Sequence, residues 1–185
     1  LITISCKSGL LLEVLEDTNC DRLVINGDLG DMYNWNSYGV HPDVSISMEE
    51  ELYSLRDFFE NLRARFPKLE IIFLFGNHEF RFERWVIEKA KPMHNILRLE
   101  NELRLEELNI PWYPYQFEYQ LEDTNCYLMH SPPSYGVNGA RTSLLNKMDR
   151  TYLYGCTHRE QNAHTTSANK KRYSCYFNGW CGSVD

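Results

Sequence analysis

Four apolar runs in this chain end on residues that can bind a metal or move a proton. "RLVINGDLGD" ends on Asp28 and Asp31, "IIFLFGNHEF" carries Asn77, His78 and Glu79, "NCYLMHS" delivers His130, and "TYLYGCTHR" delivers Cys156 and His158. Carboxylate, amide oxygen, imidazole and thiolate are all metal ligands, and the mixed set suits Mn, Fe, Zn or Ni better than Mg alone. Singly, each residue has a plainer role. An Asp after a strand caps a helix or forms a turn, Asn77 after Gly76 accepts a left-handed backbone, and a lone His is more often structural. Cys156 in "LYGCTHRE" reads as a metal half-site, a redox thiol or an ordinary strand end. The recurrence of one chemistry at four strand ends favours a shared site.

For those ends to meet, the runs must be neighbouring strands. "LITIS" and "RLVIN" read as strands flanking a leucine-rich helix (Leu10, Leu11, Leu12, Val14, Leu15). Met48, Leu52, Leu55, Phe59, Leu62 and Phe66 alternate steps of four and three, which places them on one helical face closed by Pro67. "EIIFLF" is a further unbroken apolar strand, and an Arg- and Glu-rich helix is expected from about Phe82 to Lys91. This βαβαβ order predicts a parallel sheet with helical crossovers, its strands buried on both faces. In such sheets ligands bind beyond the carboxyl ends of the strands. After Pro111 the texture changes: "PWYPYQFEYQLE", "NCYLMHS", "RTYLYG" and "KRYSCYFNGW" are aromatic-rich pieces that predict antiparallel pairing.

Length supports one domain over residues 1–185. The 19 basic and 26 acidic residues give a net charge of -7, which disfavours non-specific binding of a phosphate backbone. Six cysteines, at 6, 20, 126, 156, 175 and 181, lack the dense spacing of a disulfide scaffold, so a reduced, cytoplasmic protein is expected. No apolar run is long enough to span a bilayer, and no membrane association is expected. Both ends look abrupt, and we expect the natural chain to be longer.

The strand-end residues resemble the calcineurin-like metallophosphoesterases, whose motifs run D-x-H, G-D-x-x-D, G-N-H-[DE], a lone His, and G-H-x-H. Gly27-Asp28-Leu29-Gly30-Asp31 matches the second, Gly76-Asn77-His78-Glu79 the third, His130 the fourth, and Gly155-Cys156-Thr157-His158 most of the fifth. The resemblance covers roughly residues 22 to 158. It implies an α/β fold of the four-layer α/β/β/α type, with two mixed sheets and two divalent transition metal ions at the strand ends. By the same resemblance Asp28 bridges the metals, Asn77, His130 and Cys156 complete one, and His158 belongs to the other. His78 protonates or steadies the leaving oxygen, with Glu79 or Asp31 in support. Two metals about 3.5–4 Å apart generate hydroxide near neutral pH and hold both oxygens of an in-line displacement. The implied activity is hydrolysis of a phosphomonoester or phosphodiester, with nucleotides and nucleic acid among the candidate substrates.

The chain departs from the family twice. Ile4-Ser5-Cys6-Lys7-Ser8-Gly9 stands where D-x-H is expected, and the join is short for an active-site loop. A segment absent near Cys6 is the favoured explanation over true loss. Cys156 replaces the first His of G-H-x-H; a thiolate there favours Zn or Fe, while a buried apolar cysteine is the plainer account. Arg159 and Arg81 follow the last and third motifs, and either can pair with a phosphate oxygen. Tyr33, Trp35, Tyr38 and His41 fill a loop that either covers the site or packs on itself. The rival expectation is a catalytically degenerate relative that serves as a binding scaffold.

Overall fold

The computed structural model describes residues 8–36, 46–122, 124–147 and 149–178. The expected first strand, the join at Cys6, Tyr38, His41 and Cys181 lie outside them. Among the described residues the fold is mixed α/β, with five α-helices and two sheets.

The first sheet consists of β1 (Arg22–Asn26), β2 (Glu70–Leu74) and β3 (Trp112–Tyr113), all parallel, in that order. Alternate side chains of β1 and β2 enter two different cores, which explains their unbroken apolar sequence. Leu23, Ile25, Ile71 and Phe73 face the helices: Leu11 and Leu15 of α1 (Ser8–Thr18), Leu55, Phe59 and Leu62 of α2 (Met48–Arg65), Phe82 and Val86 of α3 (Glu79–Lys89), and Leu99 of α4 (Leu99–Glu102). Val24, Ile72 and Leu74 face the other way and pack on Tyr119 and Leu128 of the second sheet. The expected α2 face is borne out through Leu55, Phe59 and Leu62, whereas Met48 opens the helix and remains exposed. A capping box at Ser47 and Glu50 fixes that start. α3 begins at Glu79, earlier than the apolar spacing suggested, because the turn at Gly76 leads directly into it.

The second sheet has the order β4 (Tyr119–Gln120), β5 (Cys126–Met129), β6 (Thr151–Tyr154), β8 (Arg172–Phe177), β7 (Gln161–Thr166). The expectation of antiparallel pairing holds for β4 with β5 and for β7 with β8, and fails for β5 with β6 and β6 with β8, which are parallel. The reason is α5 (Gly139–Asn146), a crossover between β5 and β6 that returns the chain to the same end of the sheet. Ala140 and Leu144 of α5 pack on Tyr152, Tyr154, Tyr173, Cys175 and Phe177. One sheet is therefore mixed and the other parallel over its described strands. No helix among the described residues is long and apolar enough to cross a membrane.

Candidate metal centre

Parallel pairing within each sheet sends the carboxyl ends of β1 and β2, and of β5 and β6, the same way. The two pairs meet through His130: its Nδ1 donates to the Asn26 carbonyl at 2.6 Å, across the sheets. The Gly155 and Cys156 amides both donate to the His130 carbonyl at 3.0 Å, which ties the β6 turn to the end of β5. The close approach depends on glycine. Gly27 has φ +78°, and a Cβ there would lie 2.5 Å from the Gly76 Cα; one on Gly76 would lie 2.5 Å from the Asp28 amide nitrogen.

Four donor groups converge. His130 Nε2 lies 3.1 Å from Asp28 Oδ2 and 3.0 Å from Asn77 Oδ1, and the Cys156 thiol donates to the same Asn77 oxygen at 3.1 Å. The ligating atoms of Asp28, His130 and Cys156 all fall within 4.8 Å of one another. Ligands about 2.0–2.2 Å from a tetrahedral ion stand about 3.3–3.6 Å apart, so the three contacts of 3.0–3.1 Å fall a few tenths of an ångström short of that span and would open slightly around an ion. Because a carbonyl only accepts, His130 Nδ1 carries a hydrogen, and the tautomer leaves Nε2 to serve as a ligand.

The electrostatics agree. Burial opposes a charge on His130, but its hydrogen bonds to Asp28 and Cys156 and the Asp28 charge outweigh this and push it up to about 11. Burial likewise opposes the Asp28 carboxylate, yet the bond and charge of His130, followed by His78, hold it below its ordinary value. A proton therefore sits between Nε2 and two acceptor oxygens, where a cation would satisfy the same donors. Oxygen, nitrogen and sulfur in one cluster fit a divalent transition ion better than Mg.

Other expected residues take different places. His78 Nδ1 donates to the Gly30 carbonyl at 3.2 Å, its Nε2 lies 3.7 Å from Asp28 Oδ2, and its backbone amide donates to Asp28 Oδ1 at 3.0 Å. Burial pulls its pKa below the ordinary imidazole value. Asp31 is exposed, 4.0 Å from His78 Nδ1, and its carbonyl accepts from Arg81 at 2.7 Å. Glu79 is only 1 % exposed and accepts from the amides of Gly76 (2.7 Å), Asp28 (2.9 Å) and Leu29 (2.9 Å). Its carboxylate is thus committed to the backbone of both turns, a positioning role. His158, exposed at φ 52°, is not among the three residues whose ligating atoms converge, and Arg159 is exposed beside it. Trp35 and Tyr33 belong to a short 3-10 turn, with Trp35 buried against Phe82, so that part of the loop packs inward.

Sequence reasoning missed Asn26, whose side chain donates to the Met129 carbonyl at 3.4 Å while its own carbonyl holds His130. An Asn closing an otherwise apolar strand was the available signal. It also missed Tyr115 and Ser131 beside the cluster, which no motif marks. No family model matches the chain, and no curated protein matches it.

Proposed function

We propose that the chain is a metal-dependent phosphoester hydrolase of the calcineurin-like type. The observation that carries this reading is the meeting of Asp28, Asn77, His130 and Cys156 from four strand ends, with His78 beside them. The three apolar clusters, in the order helices, first sheet, second sheet, α5, support the four-layer α/β/β/α form of the fold. Asp28, Asn77, His130 and Cys156 would hold one divalent ion. A second would draw on Asp28 and His158, together with residues expected near Cys6.

Bound there, the metal supplies Lewis acidity toward a phosphoryl oxygen and lowers the pKa of a water. The chain's own groups do the rest. Asn26 fixes the His130 ring, and Glu79 fixes the turns that carry Asp28 and Asn77. His78, anchored through Nδ1 on Gly30, holds Nε2 3.7 Å from Asp28 Oδ2, whose charge, working against burial, favours the proton that Nε2 would pass to a leaving oxygen. Arg81, which reaches the Asp31 carbonyl beside His78, would supply positive charge for an anionic ester.

The test is to load the protein separately with Mn, Ni and Zn and assay a phosphomonoester, a phosphodiester and single-stranded DNA. Turnover that falls at least a hundredfold in Asp28→Asn is the expected result; no turnover with any metal overturns the enzyme reading. The scaffold reading is favoured by one observation, that the donor groups already satisfy one another through the Cys156–Asn77 and His130–Asp28 contacts. Zero bound metal at equilibrium with excess Zn would support it.

A further inference from the structure

We propose that Glu51 of α2 is a positioning residue for His78, holding in place the turn from Gly30 to Tyr33 on which the imidazole is anchored. The inference rests on the phosphoesterase reading for what His78 does, and adds a residue from an element that carries none of the strand-end motifs.

Glu51 stands where an apolar residue is expected. It shares the buried face of α2 with Leu55, Phe59 and Leu62, and is only 6 % exposed. Glutamate is rarely buried so deeply unless it is paired. Its Oε1 accepts from the Tyr33 amide at 3.3 Å, while Oε2 is buried without a hydrogen-bond partner among the described residues. Burial pushes the carboxyl above its ordinary value. A buried oxygen left in that state opposes folding, so stability does not account for a carboxylate at this place.

The needs of the turn do account for it. Met32 has φ 47° and ψ 42°, a left-handed backbone unfavourable for a residue with a Cβ, and it gives no side-chain cap to the 3-10 turn that starts at Tyr33. Glu51 supplies the missing acceptor from α2. One helical turn further on, Leu55 presses on the same segment: a Cβ on Gly30 would lie 2.8 Å from Leu55 Cδ1. Between these two supports the turn offers two carbonyls to the start of α3. Gly30 accepts from His78 Nδ1 at 3.2 Å, and Asp31 accepts from Arg81 at 2.7 Å. Movement of the turn away from α2 would carry both acceptors with it and release the His78 ring, whose Nε2 lies 3.7 Å from Asp28 Oδ2.

Glu51→Met fills a similar volume and removes the acceptor, whereas Glu51→Gln keeps an oxygen for the Tyr33 amide. In metal-free protein, at a pH where the ring is neutral, a long-range proton–nitrogen NMR spectrum should show His78 protonated on Nδ1 in wild type and in Glu51→Gln. Glu51→Met should show a mixture of the two tautomers. Glu51→Ala should behave as Glu51→Met does, so that failure of either to fold leaves the other as the test. In zinc-loaded protein of unchanged metal content, kcat for a phosphomonoester should fall about tenfold in Glu51→Met, with KM within about twofold, and recover in Glu51→Gln. Unchanged His78 signals in the Met or Ala variant, displaced signals in Glu51→Gln, or loss of zinc from Glu51→Met would overturn the inference. Wild-type protein without turnover would sink the phosphoesterase reading, and the His78 spectrum would then decide the positioning role by itself.

Discussion

Glu79 offers the sharpest test of how the site is built, because its two oxygens hold both donor-bearing turns of the first sheet. Oε2 accepts from Asp28 and Gly76, and Oε1 from Leu29. Glu79→Gln retains one carbonyl oxygen. Its best placement puts that oxygen at the Oε2 position and turns the amide NH2 toward the Leu29 N–H, a donor facing a donor. The lost bond with its stranded amide costs about 1–3 kcal/mol, and the two surviving bonds fall from the charged to the neutral range, about 1 kcal/mol each. Against this, burial and then the Asp28 charge push the Glu79 carboxyl above its ordinary value, so removing its charge recovers part of the loss. The net expectation is about 2 kcal/mol, a large share of a typical domain's 5–15 kcal/mol. Glu79→Ala strands all three donors and should cost about 3–9 kcal/mol, enough to threaten folding. Urea denaturation in the presence of chelator, so that no ion contributes, measures both. A Gln variant within about 0.5 kcal/mol of wild type, or an Ala variant no worse than Gln, would refute the role of these bonds.

Four other outcomes are expected. His130 has a folded pKa raised from 6.5 to about 11, so its contribution is fully present below pH 6.5 and is lost as pH rises through 11. Asp28 is depressed below 3.8, so its contribution is present above that value and lost as pH falls through the folded one. Metal-free protein should therefore weaken steadily above pH 6.5, and His130→Gln should flatten that limb of a stability–pH curve. Metal binding at the proposed site would displace the His130 Nε2 proton and ionise Cys156, so zinc affinity should rise about tenfold per pH unit for each proton released. The cobalt-loaded protein should show a thiolate charge-transfer band that Cys156→Ser abolishes; an unchanged spectrum would remove Cys156 from the ligand set. Gly76→Ala places a Cβ 2.5 Å from the Asp28 amide nitrogen and should abolish metal binding while destabilising the fold by several kcal/mol, read by metal content and by thermal melting.

The parts of the fold visible in the sequence are those whose physics is local. β1 and β2 declare themselves by unbroken apolar runs, since both faces are buried, and α2 by its spacing and the Ser47–Glu50 box. The parallel pairing of β5 with β6 was hidden because α5 has few apolar residues and follows a Pro- and Gly-bearing stretch that reads as a turn. Asp28, Asn77, His130 and Cys156 were legible as strand-end ligand types, and their convergence follows from parallel pairing in both sheets. The true commitment of Glu79 was not legible, because nothing in "GNHE" tells a side chain that faces the backbone from one that faces a substrate. Asn26 escaped for a related reason: the partner of its side chain lies 103 residues away.

The hydrogen bond from His130 to Asn26 joins positions 104 residues apart and is a polar link between the two sheets. An ion shared by Asp28, Asn77, His130 and Cys156 would reinforce that link as a reversible staple across most of the chain. Closing so long a loop restricts the unfolded ensemble, and binding to the folded state alone shifts the equilibrium by mass action. Supply of the ion would then govern how long the protein survives.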